Sequence, residues 1–246
     1  MMNIVGIIPS RYASTRFPGK PLIDIHGKSM IQRVYEQSKK AKSLSEVYVA
    51  TDDKRIEEHI HSFGGKVVMT SETHQSGTDR CFEAVNEIQG LTDVVINIQG
   101  DEPFIHPEQI DLVASCFNSP EVEIATLAMK MKTSTDLFNP NIPKVIINKN
   151  KEAIYFSRQA IPHIRGVEQS EWMNRFTFYK HVGIYAYTVK VLKEITLLKQ
   201  SSLELAEALE QLRWIENGYK IKVEITDFES VAVDAPEDLK KLINFL

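Results

Sequence analysis

Four short apolar runs, each closed by polar residues and separated by a helical pattern, constrain this chain more than any other feature. NIVGIIP (3–9), EVYVAT (46–51), KVVMT (66–70) and DVVINIQ (93–99) are rich in Val and Ile and have the length of buried strands. Between them, KSMIQRVYEQSKKAK sets Met30, Ile31, Val34, Tyr35 and Ser38 on one side of a helix, and DKRIEEHIHSF and DRCFEAVNEI repeat that spacing. Strands alternating with helices imply right-handed crossovers and a mainly parallel sheet. In such sheets ligands sit outside the carboxyl ends of the strands. The expectation is an α/β fold with a site along one sheet edge.

Beyond Pro107 the pattern loosens. EIATLAMKM (123–131) is another strand, and PKVIINKNKEAIYFSR (143–158) reads as an antiparallel hairpin turning at Asn148–Lys151. FTFYKHVGIYAYT (176–188) is an aromatic strand, and SLELAEALEQLRWIENG (202–218) reads as one amphipathic helix ended by Gly218. KIKVEIT and SVAVDAP continue as strands before a short terminal helix, PEDLKKLINFL. No repeat or linker divides the 246 residues, so the expectation is one α/β domain, 1–246, with an antiparallel portion inserted at about 140–190.

A formal charge of -4 argues against a general nucleic-acid or membrane-surface binder. Cys81 and Cys116 have no CxxC spacing and read as buried thiols of a reducing compartment. The N-terminus has no secretory pattern, and no run approaches the ~18 apolar residues of a membrane span. A soluble cytoplasmic protein is expected.

Against that acidic background, GIIPSRYASTRFPGKPL (6–22) puts Arg11, Arg16 and Lys20 directly after the first strand. Guanidinium groups recognise phosphate oxygens bidentately and a lysine adds a point charge, so the loop suits a triphosphate. It is not a Walker loop, because Lys20 is followed by Pro21, and the Rossmann GxGxxG is missing. VVINIQGDEPFI (94–105) ends an apolar strand at Asp101, on the same edge. A carboxylate facing bound phosphates calls for a divalent cation between them, and Mg²⁺ is usually held by one or two carboxylates plus phosphates. Asp234, at the end of SVAVD, is the second candidate ligand; as an alternative it caps the helix beginning at Pro236. In HQSGTDR (74–80), Thr78 or Asp79 can cap the next helix, while Gln75, Ser76 and Arg80 can read a base or ribose. In ATDD (50–53), Asp52 reads as a cap. Arg158, His181, Tyr185, Glu210 and Gln211 each have an ordinary structural reading on pattern alone, His181 as an interior histidine.

Together GIIPSRYASTRFPGKPL, ATDD, HQSGTDR, INIQGDEP, YFSR, KHVGIYAY, LEQLR and VDAPEDL closely resemble the 3-deoxy-manno-octulosonate cytidylyltransferases, the CMP-Kdo synthetases of lipopolysaccharide biosynthesis. The resemblance runs nearly the whole chain in order. It implies a Rossmann-like sheet of the nucleotide-diphospho-sugar transferase type, conversion of CTP and Kdo to CMP-Kdo and pyrophosphate, Mg²⁺, and a homodimer built through the inserted portion. By motif position it implies that Arg11, Arg16 and Lys20 hold the triphosphate, with Arg11, Lys20 and Asp101 catalytic. Ser76, Gly77 and Arg80 would lie against the cytidine, and Gln99 between the substrates. Arg158, His181, Tyr185, Glu210 and Gln211 would surround the sugar acid, and Asp101 and Asp234 would bind the metal. The chain departs from the family at Ser202, Leu205, Ala232 and Ala235, which leaves an 8-amino analogue of Kdo open as the substrate. Other readings from the residues are a metal-dependent glycosyltransferase, disfavoured by the lack of D-x-D, and a non-catalytic nucleotide-binding module.

Overall fold

Strand β1 (Ile4–Ser10) is buried except at Pro9, as its apolar run requires. The computed structural model describes residues 2–13, 17–229, 231–233 and 235–245, apart from the side chains of 241 and 243–245. After β1, a small antiparallel pair, β2 (Asp24–Ile25) and β3 (Lys28–Ser29), stands apart from the main sheet. The sheet continues with β4 (Glu46–Thr51), β5 (Val67–Met69), β6 (Val94–Asn97) and β7 (Ile124–Lys130). The predicted hairpin is β8 (Lys144–Ile147) and β9 (Ala153–Ser157), and β10 (Tyr179–Thr188) and β11 (Lys222–Ile225) complete the set.

The main path runs β11–β7–β10–β6–β1–β4–β5, with the hairpin attached through β8 to β10. Strands β6, β1, β4 and β5 pair in parallel, as do β11 and β7. β10 runs antiparallel to both β6 and β7. This reversal sets Tyr185 opposite Asn97 and brings the first half of β10 to the carboxyl edge of the parallel strands.

Helices α1 (Met30–Ser38), α2 (Lys54–Ser62), α3 (Gly77–Glu87) and α4 (Pro107–Ser115) follow strands along the chain, and α1 buries the five residues its spacing selects. Short helices α5 (Ser134–Phe138) and α6 (Trp172–Arg175) precede α7 (Val189–Thr196), α8 (Ser202–Glu207) and α9 (Gln211–Glu216). Because successive strand residues point to opposite faces, Ile4 and Ile8 pack with Ile31, Ile56 and Ile110 on one side. Val5 and Ile7 pack with Ala84, Leu192 and Trp214 on the other. Cys81 and Cys116 are free and buried, as expected.

Two expectations need correction. The single helix over 202–218 is two, broken where Ala208 takes a left-handed φ of +50°. Nothing in the local sequence stops the helix there; the Arg158 guanidinium, donating to the carbonyls of Glu207 and Ala208, holds the chain out of helical register. The end at Gly218, with φ +85°, is as predicted. In SVAVDAP, Val231–Val233 form no strand; Ser230 lies outside the described residues. There Val233 N–H donates to the Asp101 carbonyl at 2.9 Å, a loop contact instead of a ladder.

Lys144, at the junction of β8 with β10, is fully buried. Its ammonium donates to the carbonyls of Asn139, Ile142 and Arg158 at 2.8, 2.8 and 2.7 Å, using all three of its N–H groups. Burial holds its pKa below the usual lysine value. Lys144→Met would strip three partly buried carbonyls of this donor, and we expect a loss of roughly 2 kcal/mol, read as a lower denaturant midpoint. An unchanged midpoint would contradict the role.

Candidate active site

The loop after β1 is shaped by packing as well as by charge. Gly19, with φ +73°, donates its N–H to the Tyr12 carbonyl at 3.0 Å and leaves room for the Tyr12 ring; a Cβ there would lie 3.1 Å from it. The Arg55 guanidinium sits over the Tyr12 ring, 3.3 Å from its centroid. Lys20, at the start of a 3₁₀ turn, reaches across to the turn after β6, where its Nζ donates to Asp101 Oδ2 at 2.8 Å and also to the Val233 carbonyl at 2.9 Å. Gly100 permits this approach, because a Cβ would meet the Pro9 carbonyl at 2.9 Å. Three segments remote in the chain therefore meet at one point: the cationic loop, the QGDEP turn and the segment around Val233. Arg16 and Asp234 lie outside the described residues.

Beside this junction a cleft of about 270 Å³ opens at the sheet edge. One wall contains Arg11, Ser76, Gly77 and Arg80, and the other contains Gln99, Tyr185 and Glu210. The caps differ from expectation. Ser76 is the N-cap of α3, accepting from Asp79 N–H, while the Asp79 carboxylate accepts from Ser76 N–H in return. Thr78 faces inward instead, donating its hydroxyl to Glu210 Oε2 at 2.9 Å. Asp53, not Asp52, caps α2. Asp52 is drawn away because it accepts from the buried Arg80 guanidinium at 2.9 Å, which also donates to Thr70 Oγ1 at 2.6 Å.

On the far wall, β10 is irregular between Val182 and Tyr185, and Gln99 Nε2 donates to the Gly183 carbonyl there at 2.8 Å. His181 is half-buried beside Tyr185, edge-on to Phe156 and 3.0 Å from Thr126 Oγ1. Burial pushes its pKa down to about 3, so the ring is neutral, which matches the interior reading. Arg158 lies away from the cleft wall, its guanidinium spread over the carbonyls of Pro140, Glu207 and Ala208. Gln211 is buried at the start of α9, immediately after Glu210. Burial raises the Glu210 carboxyl above the usual carboxylate range, opposed by the Thr78 and Ser76 hydroxyls and by Arg213.

The sequence pattern of the cytidylyltransferase family matches residues 5–222. The chain is 61% identical to the 3-deoxy-manno-octulosonate cytidylyltransferase of Parabacteroides distasonis, over 100% of this chain and 99% of the relative. It belongs to the 3-deoxy-manno-octulosonate cytidylyltransferase family. The enzyme of the same name from Bacteroides thetaiotaomicron is 58% identical over 100% of this chain and 98% of its own. A solved structure of CMP:2-keto-3-deoxy-manno-octonic acid synthetase complexed with CTP superposes with a TM-score of 0.91 at 40% identity, covering 99% of this chain and 98% of the other.

Within this cytidylyltransferase fold the cleft holds polar groups that motif reading passed over. Among the described residues, Ser10 Oγ and Asn97 Oδ1 are buried, line the cleft and have no hydrogen-bond partner, and the Tyr185 hydroxyl is in the same state. Buried polar atoms are nearly always paired, and these three all line the cleft. Asn97 carried a signal: it is the one polar residue interrupting the apolar run Val94–Ile98. Ser10 carried none, since a serine closing a strand is common.

Proposed function

We propose that this chain catalyses attack of the anomeric hydroxyl of 3-deoxy-manno-octulosonate on the α-phosphorus of CTP, giving the CMP-sugar and pyrophosphate for lipopolysaccharide assembly. One observation carries the reaction class: the Lys20–Asp101 pair, a phosphate-seeking cation and a metal-seeking carboxylate 2.8 Å apart, two residues along the chain from Gln99 of the cleft wall. The substrates follow the names of whole-length relatives. Phosphoryl transfer of this kind needs positioning and charge stabilisation more than covalent help. Arg11, at the cleft wall, and Lys20 would neutralise the departing pyrophosphate. Gln99, pinned by the Gly183 carbonyl, would separate the two substrates, and Tyr185 and Glu210 would receive sugar hydroxyls.

The donor set fits Mg²⁺: Asp101 offers a hard carboxylate beside the segment bearing Val233, and among the described residues no three acidic, His or Cys side chains converge to hold an ion without help. Asp101, with Asp234, would hold the ion together with substrate oxygens. When bound it supplies Lewis-acid stabilisation of phosphoryl charge. A cytoplasmic homodimer joined through the inserted portion is part of this proposal; exposed Phe138 and Phe176 beside the Trp172–Phe178 cluster support it. No helix among the described residues is long and apolar enough to cross a membrane.

Pyrophosphate release measured with CTP, Kdo and Mg²⁺ should require all three, and repetition with the 8-amino analogue and a nucleotide panel should favour Kdo and CTP. CTP binding without turnover would overturn the reading. For Arg158→Ala we expect KM for the sugar acid to rise about tenfold or more with KM for CTP nearly unchanged. The reason is that Arg158 sets the Glu207–Ala208 bend from which Glu210 projects. Equal effects on both substrates would contradict that assignment.

A further inference from the structure

Helix α3 and the wall bearing Glu210 are joined inside the cleft by a side-chain bond across 132 positions of sequence, from Thr78 Oγ1 to Glu210 Oε2. Thr78 is 3% exposed and occupies the second residue of α3, where a hydroxyl is not needed to cap the helix because Ser76 does so. Glu210 sits just after the left-handed Ala208, with little helix behind it to fix its side chain.

We infer that Thr78 is a positioning residue for the transfer reaction, holding the Glu210 carboxylate aimed into the cleft as an acceptor for the sugar acid. This rests on the reading of Glu210 as a sugar-contacting group. The α3 N-terminus that carries Thr78 also carries Ser76 and Gly77 on the opposite wall, so the bond ties the placement of one wall to that of the other. A donor to a carboxylate favours its ionised form, and the Ser76 hydroxyl adds a second such contact. The other groups facing Glu210 are Asp79 and Cys81 of α3, Arg213 of α9, and Tyr185 and Tyr187 of β10. Arg11, His74 and Arg80 lie farther along the same cleft wall. Among these the Thr78 hydroxyl can be removed with almost no change of shape, by valine.

The test compares Thr78→Val, Thr78→Ser and Glu210→Gln in pyrophosphate release, varying each substrate in turn across pH. For Thr78→Val we expect KM for the sugar acid to rise about tenfold, the size expected for a lost hydrogen bond to a charged group, with KM for CTP within about twofold. The acid limb of kcat/KM for the sugar should move to higher pH, because the carboxylate has lost a donor that favours its charge. Thr78→Ser should restore both. A merely structural role would lower the unfolding temperature or kcat without moving that limb. A folded Thr78→Val with wild-type sugar KM and pH profile overturns the inference, as does an equal rise in both KM values. If Glu210→Gln also binds sugar normally, the reading of Glu210 fails as well; if it weakens sugar binding while Thr78→Val does not, the positioning role alone fails.

Discussion

Asp101→Ala should retain the fold and lose nearly all turnover, by a factor of ~10³ or more when a charge-stabilising group at the reacting centre is removed. The fold should survive because Asp101 stands in the turn after β6, outside both main hydrophobic clusters, with its side chain 25% exposed. Its backbone carbonyl would still accept from Val233, so the loop contact does not depend on the carboxylate. Loss of the partly exposed ion pair to Lys20 would cost about 1 kcal/mol. The measurement is kcat for pyrophosphate release at saturating CTP and Mg²⁺, with thermal unfolding run in parallel. Substantial Mg²⁺-dependent turnover in a folded variant would remove Asp101 from the chemistry.

Lys20→Ala should lower kcat by ~10² through lost stabilisation of charge on the leaving phosphates. Here the structure sharpens the expectation. Lys20 also holds the Val233 carbonyl at 2.9 Å, so its removal loosens the segment that leads into the second candidate carboxylate. Lys20→Arg keeps the charge but replaces a compact ammonium with a planar fork, and should recover only part of the rate. An unchanged kcat in Lys20→Ala would reduce the lysine to a structural clip between Asp101 and Val233. A loss confined to KM for CTP would mean that it binds the ground state and the transition state equally.

The parallel core was legible because β-strand and helix periods are local properties. The Met30–Ser38 face and the runs at 46–51, 66–70 and 93–99 needed no distant information, and each appears where its pattern falls. Local signals misled where a remote partner decides the outcome. SLELAEALEQLRWIENG has helical spacing throughout, yet Arg158, about 50 residues earlier in the chain, takes the carbonyls that would continue the helix. ATDD offers two equivalent caps, and Arg80 claims Asp52, leaving Asp53 for α2. HQSGTDR offers three hydroxyl or carboxylate side chains near a helix start; Ser76 and Asp79 close the cap between them, and Glu210 claims Thr78.

By itself the sequence determined the strand–helix alternation, the sheet edge on which a site must lie, and the residue types that could serve phosphate and metal there. Those follow from periodicity and from side-chain chemistry, which travel with the chain. Tertiary structure decided which of those groups touch. The Lys20–Asp101 pair, the reversal of β10 that sets Tyr185 beside Asn97, and the Thr78–Glu210 bond each join segments that no local rule relates. They form because burying both sheet faces at once leaves the chain little freedom at the edge between them.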